Sequence, residues 1–132
     1  MSETILPGGW PRPPGYANAI VAHGRLVVLA GQVGWDPHTL RFATADFAGQ
    51  VRQALRNIVD VLKAAHAAPN NVVRMTWYVT SRDEYAAALA EVGKAYREVF
   101  GTHYPAMTLV VVAGLLEPGA KVEIEATAVV SG

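Results

Sequence analysis

The sequence predicts an α+β fold in which two helices lie on one face of a mixed sheet, in the order β-β-α-β-α-β-β. Two observations carry that reading. Segments running from about Asp46 to Ala65 and from Ser81 to Phe100 place apolar side chains at spacings of three and four, the period of a helix with one buried stripe. Runs rich in β-branched and aromatic residues precede, separate and follow them, bounded by glycine, proline or asparagine. Two stripes cover only one face of a sheet, so the other face is expected to be covered by another subunit.

Pro7 to Gly15 alternates prolines with glycines around Trp10 and Arg12, which removes donors and adds backbone freedom. It is expected as a tail laid over the body, with Trp10 as an aromatic anchor. Asn18 to His23 and Arg25 to Gln32 flank Gly24 and read as a hairpin. The second run, Leu26 to Ala30, is continuously apolar, as in a strand covered on both faces. Gly31 to His38 then leaves it as a loop that can bring backbone N–H groups close to a ligand.

Phe47, Val51, Leu55, Ile58, Leu62 and Ala65 form the first helical stripe, with Arg52, Arg56, Asp60 and Lys63 largely off it, and Pro69-Asn70-Asn71 ends the unit. Val72 to Thr80 reads as a strand with Arg74, Thr76 and Tyr78 on one face and Val73, Met75, Trp77 and Val79 on the other. Ser81 and Glu84 fit a capping box for a second helix, striped by Tyr85, Leu89, Val92, Tyr96 and Phe100 and closed by Gly101. Tyr104-Pro105 opens a final hairpin that turns at Glu117-Pro118-Gly119 and returns through Val122 to Ala128.

A chain of 132 residues fits one domain, residues 1–132, around a single core. With 52% apolar and 17% charged residues it is rich in surface for partners to cover, which favours a homo-oligomer. Eleven basic and eleven acidic residues are spread without a basic block, which disfavours nucleic acid as a partner. Cysteine is absent, so disulfide and thiol chemistry are excluded. Met1 to Pro14 has no basic segment followed by an apolar one, and no membrane-length apolar run occurs, so a soluble, cytoplasmic protein is expected.

No metal site is expected, because His23, His38, His66 and His103 lack ligand spacing and fall at turns, loops or element ends. Ser2, Ser81 and Ser131 are the only serines and none sits in a nucleophile elbow. Gly8-Gly9 and the Gly31/Gly34 pair lack the Lys, Ser or Thr of a phosphate loop. Two carboxylates remain. Strand alternation sends Glu123, Glu125 and Thr127 to one face of the last strand and Val122, Ile124, Ala126 and Ala128 to the other. That polar face is either solvent or interface, or it holds a carboxylate that activates water in a cleft, and the pattern leaves both open.

Pro14-Gly15-Tyr16, Asn18-Ala19-Ile20, Ala30-Gly31-Gln32, Gln53 to Asn57, Val73 to Thr76, Tyr96 to Phe100, Tyr104-Pro105-Ala106 and Val122 to Ala126 follow one another in an order and spacing that resembles the reactive intermediate deaminase family, also called Rid or YjgF-like. The resemblance implies a chorismate-mutase-like fold, a homotrimer whose sheets form a central barrel, and clefts between subunits. It also implies hydrolysis of enamines and imines to a keto product and ammonia, with no metal or organic cofactor. In such a cleft Tyr16 and the Gly31 backbone contact a small-molecule substrate, and Glu123 positions the attacking water. Glu125 is then structural.

Departures from that pattern are informative. Met107 stands where the imine-deaminase branch has an arginine gripping the substrate carboxylate, Ala30 where it has serine, and Gly93 where an asparagine is common. Small 2-imino acids should bind poorly, because a lost charge-assisted pair costs about 1.5–3 kcal/mol. Met107 and Ala30 imply a wider, more apolar cleft, with Trp77, Trp35, His103 or Arg74 as possible contacts. The resemblance then favours a conjugated enamine such as 2-aminomuconate. A binding-only trimer and the ribonuclease activity of some relatives are the alternatives.

Overall fold

The computed structural model describes residues 2–132. A small two-stranded sheet pairs β1 (Ser2–Ile5) antiparallel with β2 (Ala19–Ala22). The main sheet is mixed, with strand order β3-β6-β4-β5, where β3 is Arg25–Val33, β4 Val72–Val79, β5 Ala106–Val111 and β6 Val122–Val130. Helices α1 (Phe47–Ala64) and α3 (Leu89–Phe100) pack on one face of it, with the short α2 (Arg82–Ala87) before α3.

The first helical stripe is where the sequence puts it, and of the second Val92, Tyr96 and Phe100 are buried while Leu89 is 54% exposed. Asp46 caps α1 by accepting from the Gly49 N–H at 2.8 Å, and Phe47, Val51, Leu55, Ile58 and Leu62 are buried against Met75, Trp77, Ile124 and Ala126. Each such side chain contributes roughly 1.5–3 kcal/mol by leaving water. Ala65 lies just past the helix as its C-cap. Ser81 accepts from the Glu84 N–H at 3.1 Å, but the return half of the capping box is missing because Glu84 instead meets Lys121 Nζ at 2.7 Å. The second helix is also interrupted at Ala88, which separates α2 from α3.

Both expected hairpins are corrected. Runs β2 and β3 exist, but β2 pairs with β1, and β3 pairs with β6. Gly24 has φ +148° and packs so tightly on the Val130 carbonyl that a β-carbon would fall 2.1 Å from it, which steers β3 onto β6 and away from β2. At the other end, β4 lies between β5 and β6. Strands β4 and β5 are joined through helices, and such a crossover brings them side by side in parallel register. Strand β6 then returns antiparallel on the free side of β4. The turn at Glu117-Pro118-Gly119 is held on α1, where the buried Gln50 amide donates to Gly119 O at 3.0 Å and accepts from the Lys121 N–H at 2.9 Å.

Within one chain the apolar run in β3 is covered on one face only. It is an edge strand, with Leu29 buried while Leu26 and Val28 are 66% and 72% exposed. In β4 a register irregularity between Val72 and Arg74 buries Val72 and leaves Val73 half-buried, after which Met75, Trp77 and Val79 face the core as expected. The open face carries Leu26 and Val28 beside a polar centre of Thr76, Tyr78, Glu123, Glu125 and Thr127. Among the described residues no helix is long and apolar enough to cross a membrane.

Candidate functional site

Residues singled out in the sequence fall into two groups. Ala30, Gly31 and Glu123 form the first, at the β3 edge. Leu29 faces Ala126 and Gln32 faces Ile124, so Ala30 and Gly31 together oppose Glu125 in a β-bulge. A bulge breaks the ladder and re-aims side chains. A β-carbon on Gly31 would lie 2.1 Å from Glu123 Oε2, so the glycine leaves the space in which the carboxylate rests against β3. The Glu123 carboxylate has no hydrogen bond or ion pair among the described residues, whereas that of Glu125 accepts from the Tyr78 hydroxyl. That bond, followed by burial and the two glutamate charges, raises the Tyr78 pKa above its ordinary 10.0, with Arg74 opposing. Tyr78 therefore stays a donor at neutral pH, and Glu125 is committed to it.

Tyr16, Trp77, Gly93 and Met107 form the second group. They line one cavity of about 620 Å³ between α2, α3 and the β5 side of the sheet, together with Tyr85, Tyr96 and Tyr104. The Ala17 N–H donates to Pro105 O at 3.0 Å and Ala17 bridges to Ala106, so the proline-rich segment runs along β5 and sets Tyr16 near Met107. Tyr96 stacks on Tyr104 with ring centres 5.2 Å apart, and its hydroxyl donates to His103 O. The His103 ring bonds Val72 O at 2.7 Å, which ties it into the frame of this wall.

The remaining candidates lie elsewhere. Trp35 packs on Phe42 at 5.8 Å, and its carbonyl accepts from the buried Asn57 amide. Arg74 is on the open face with Thr76 and Tyr78. The two main groups lie on opposite faces of the sheet, since Trp77 and Met107 face the helices while Glu123, on the strand next to that of Trp77, faces the open side. The sheet itself therefore stands between them, and within one chain the bulge does not close over the aromatic cavity.

Sequence reasoning missed the bulge, the aromatic walls supplied by Tyr85 and Tyr104, and Arg97, which also borders the cavity. Arg97 had a legible signal: it lies one helical turn after Gly93.

The buried phenols have a consequence for stability. Burial raises the pKa of Tyr85 and, aided by Tyr104, that of Tyr96, above the ordinary 10.0. A raised folded-state pKa contributes stability that is fully present below pH 10 and is lost as pH climbs through the folded value. Urea midpoints should therefore fall between about pH 8 and about pH 11, and Tyr96→Phe should flatten that fall. An unchanged midpoint in the parent would contradict it.

A model of the family described as Endoribonuclease L-PSP matches residues 12–130. The chain is 36% identical over 129 residues to a RutC family protein of Pyrococcus horikoshii, covering 97% of this chain and 98% of that one. It is 31% identical to the human 2-iminobutanoate/2-iminopropanoate deaminase, covering 86% of this chain and 79% of the human one. Among solved structures it resembles YyfB of the Rid protein family from Yersinia pestis, with TM-score 0.85, 31% identity and 98% of both chains covered. The YjgF gene product of E. coli gives TM-score 0.70 and 31% identity over 96% of this chain and 98% of that one.

Proposed function

The chain belongs to the Endoribonuclease L-PSP family, the Rid or YjgF family of the sequence resemblance, and from that membership we propose that it hydrolyses a conjugated enamine, such as 2-aminomuconate, to a keto product and ammonia. Residues 1–132 act as one domain in a cytoplasmic homotrimer. Its clefts lie between subunits, with Ala30, Gly31 and Glu123 from one copy facing Tyr16, Trp77, Gly93 and Met107 of the next. The placement of these two groups on opposite faces of one sheet supports an arrangement in which neighbouring copies supply the two halves.

The observation that carries the reading is Glu123 itself. It is a half-buried carboxylate resting in the space left by Gly31, without a partner among the described residues, beside a second carboxylate that Tyr78 occupies. Protonation of the enamine at carbon gives an iminium, water adds to the C=N carbon, and the carbinolamine loses ammonia as the carbonyl forms. Glu123 accepts the proton from the attacking water and returns it to the leaving nitrogen. The hydroxyl proton released as the carbonyl forms balances the one taken up at carbon, so the reaction consumes only water and needs no cofactor.

Met107 in place of an arginine moves preference away from small 2-imino acids. Ammonia release should therefore be faster from 2-aminomuconate than from 2-aminoacrylate, whose imine is small and carries one carboxylate. Release from neither substrate would overturn the deaminase reading in favour of a binding-only trimer. Binding of labelled RNA that weakens steeply with salt would instead favour the activity in the family's description, a result the zero net charge argues against.

A further inference from the structure

Arg97 is the unexplained feature of the aromatic cavity. It lies in the last turn of α3, is exposed, and makes no hydrogen bond or ion pair through its side chain among the described residues. Its guanidinium nevertheless borders the cavity, and a β-carbon on Gly93 would sit 3.3 Å from Arg97 Nη1. Gly93 thus leaves its face of the helix free for the guanidinium to lie against. A second group points the same way. Trp77 lines the cavity at 3% exposure, and its Nε1–H is the only buried side-chain polar atom without a partner among the described residues. A buried donor left unpaired is costly, and it marks this wall of the cavity as strained where the rest of the described core is satisfied.

We infer that this cavity binds an organic carboxylate with a flat, unsaturated body, Arg97 gripping the carboxylate in place of an anchor at position 107 and the aromatic walls holding the body. Tyr16 and Tyr85 are the open aromatic walls of the cavity, Trp77 and Tyr96 form its buried floor, and Met107 adapts to the outline of a flat body. A guanidinium matches a carboxylate with two parallel N–H donors, which a lone lysine cannot do. The inference rests on the reading above in taking this cavity as the substrate half of the cleft, and it names the class of substrate and the residue that selects it. Arg97 would also suit the helix dipole, a structural role that predicts a change in melting temperature but no preference between an acid and its amide.

The test uses trans-cinnamate as the probe and cinnamamide as its uncharged counterpart, titrated calorimetrically into the full chain. Cinnamate should bind more tightly than the amide, and Arg97→Ala should weaken cinnamate by about ten- to a hundredfold while leaving the amide unchanged. Arg97→Lys should restore part of the loss. Gly93→Asn, which fills the space beside the guanidinium, should weaken cinnamate as well. Equal affinity for acid and amide, or cinnamate binding that Arg97→Ala does not change, would overturn the inference. Ammonia release from 2-aminomuconate by the same proteins separates the two readings. Selective cinnamate binding without turnover keeps the carboxylate site and removes the deaminase, whereas equal turnover by parent and Arg97→Ala keeps the deaminase and removes the carboxylate site.

Discussion

Glu123→Gln is expected to cut ammonia release from a conjugated enamine by about 10²- to 10⁴-fold, the usual contribution of a positioned acid or base. The amide keeps the size of the side chain and still bonds to water, but it can neither take the proton from that water nor return it to nitrogen. Stability should barely move, within about 0.5 kcal/mol, because Glu123 has no partner among the described residues whose loss would register. Glu125→Gln provides the contrast. Glu125 accepts from Tyr78, so its variant should lower the urea midpoint more than Glu123→Gln does and should leave the rate nearly intact. A full rate in Glu123→Gln, or a comparable collapse in Glu125→Gln, would remove Glu123 from the chemistry.

The difference between these adjacent carboxylates marks how far the sequence could be read. Strand alternation placed both on one face, and the structure keeps them there, with Val122, Ile124 and Ala126 buried on the other. Period two does not say which carboxylate a neighbouring strand will engage. That depends on the register of β4 against β6, which sets Thr76 opposite Glu125 and Tyr78 opposite Glu123, and on the reach of the Tyr78 phenol across the diagonal. The bulge at Ala30 and Gly31 was hidden for the same reason, since a bulge is a mismatch between two strands and neither sequence displays it alone.

Helices were the legible part because their signal is local. Ser81 caps α2 where the capping box puts it, and Asp46 caps the helix expected to begin near it. The strands were found but wrongly partnered, since adjacency in sequence favours hairpins while the ladder is decided by long-range matches. Pairing β5 with β4 and β3 with β6 follows from the crossover helices and from Gly24, neither of which announces a partner in the sequence. The buried polar pair, Gln50 and Asn57, fell on the inner side of α1 without disturbing its apolar stripe. Each is held by backbone carbonyls that only the folded loops supply.

Val28→Asp should break the assembly and the activity together. Val28 is 72% exposed in the single chain, on the open face of the edge strand, so the fold of one chain does not require it. Circular dichroism should therefore be close to the parent. In the proposed trimer the same side chain is enclosed by a neighbour, where an unpaired carboxylate costs on the order of several kcal/mol per site. Gel filtration with light scattering should show a trimer for the parent and a monomer for the variant. Deamination should be lost even though Glu123, Gly31, Met107 and Tyr16 are all unchanged, because in the proposed trimer the two halves of the cleft come from neighbouring copies. A variant that is monomeric and fully active would return the whole site to one chain, and a parent that is monomeric at assay concentration would remove the intersubunit cleft altogether.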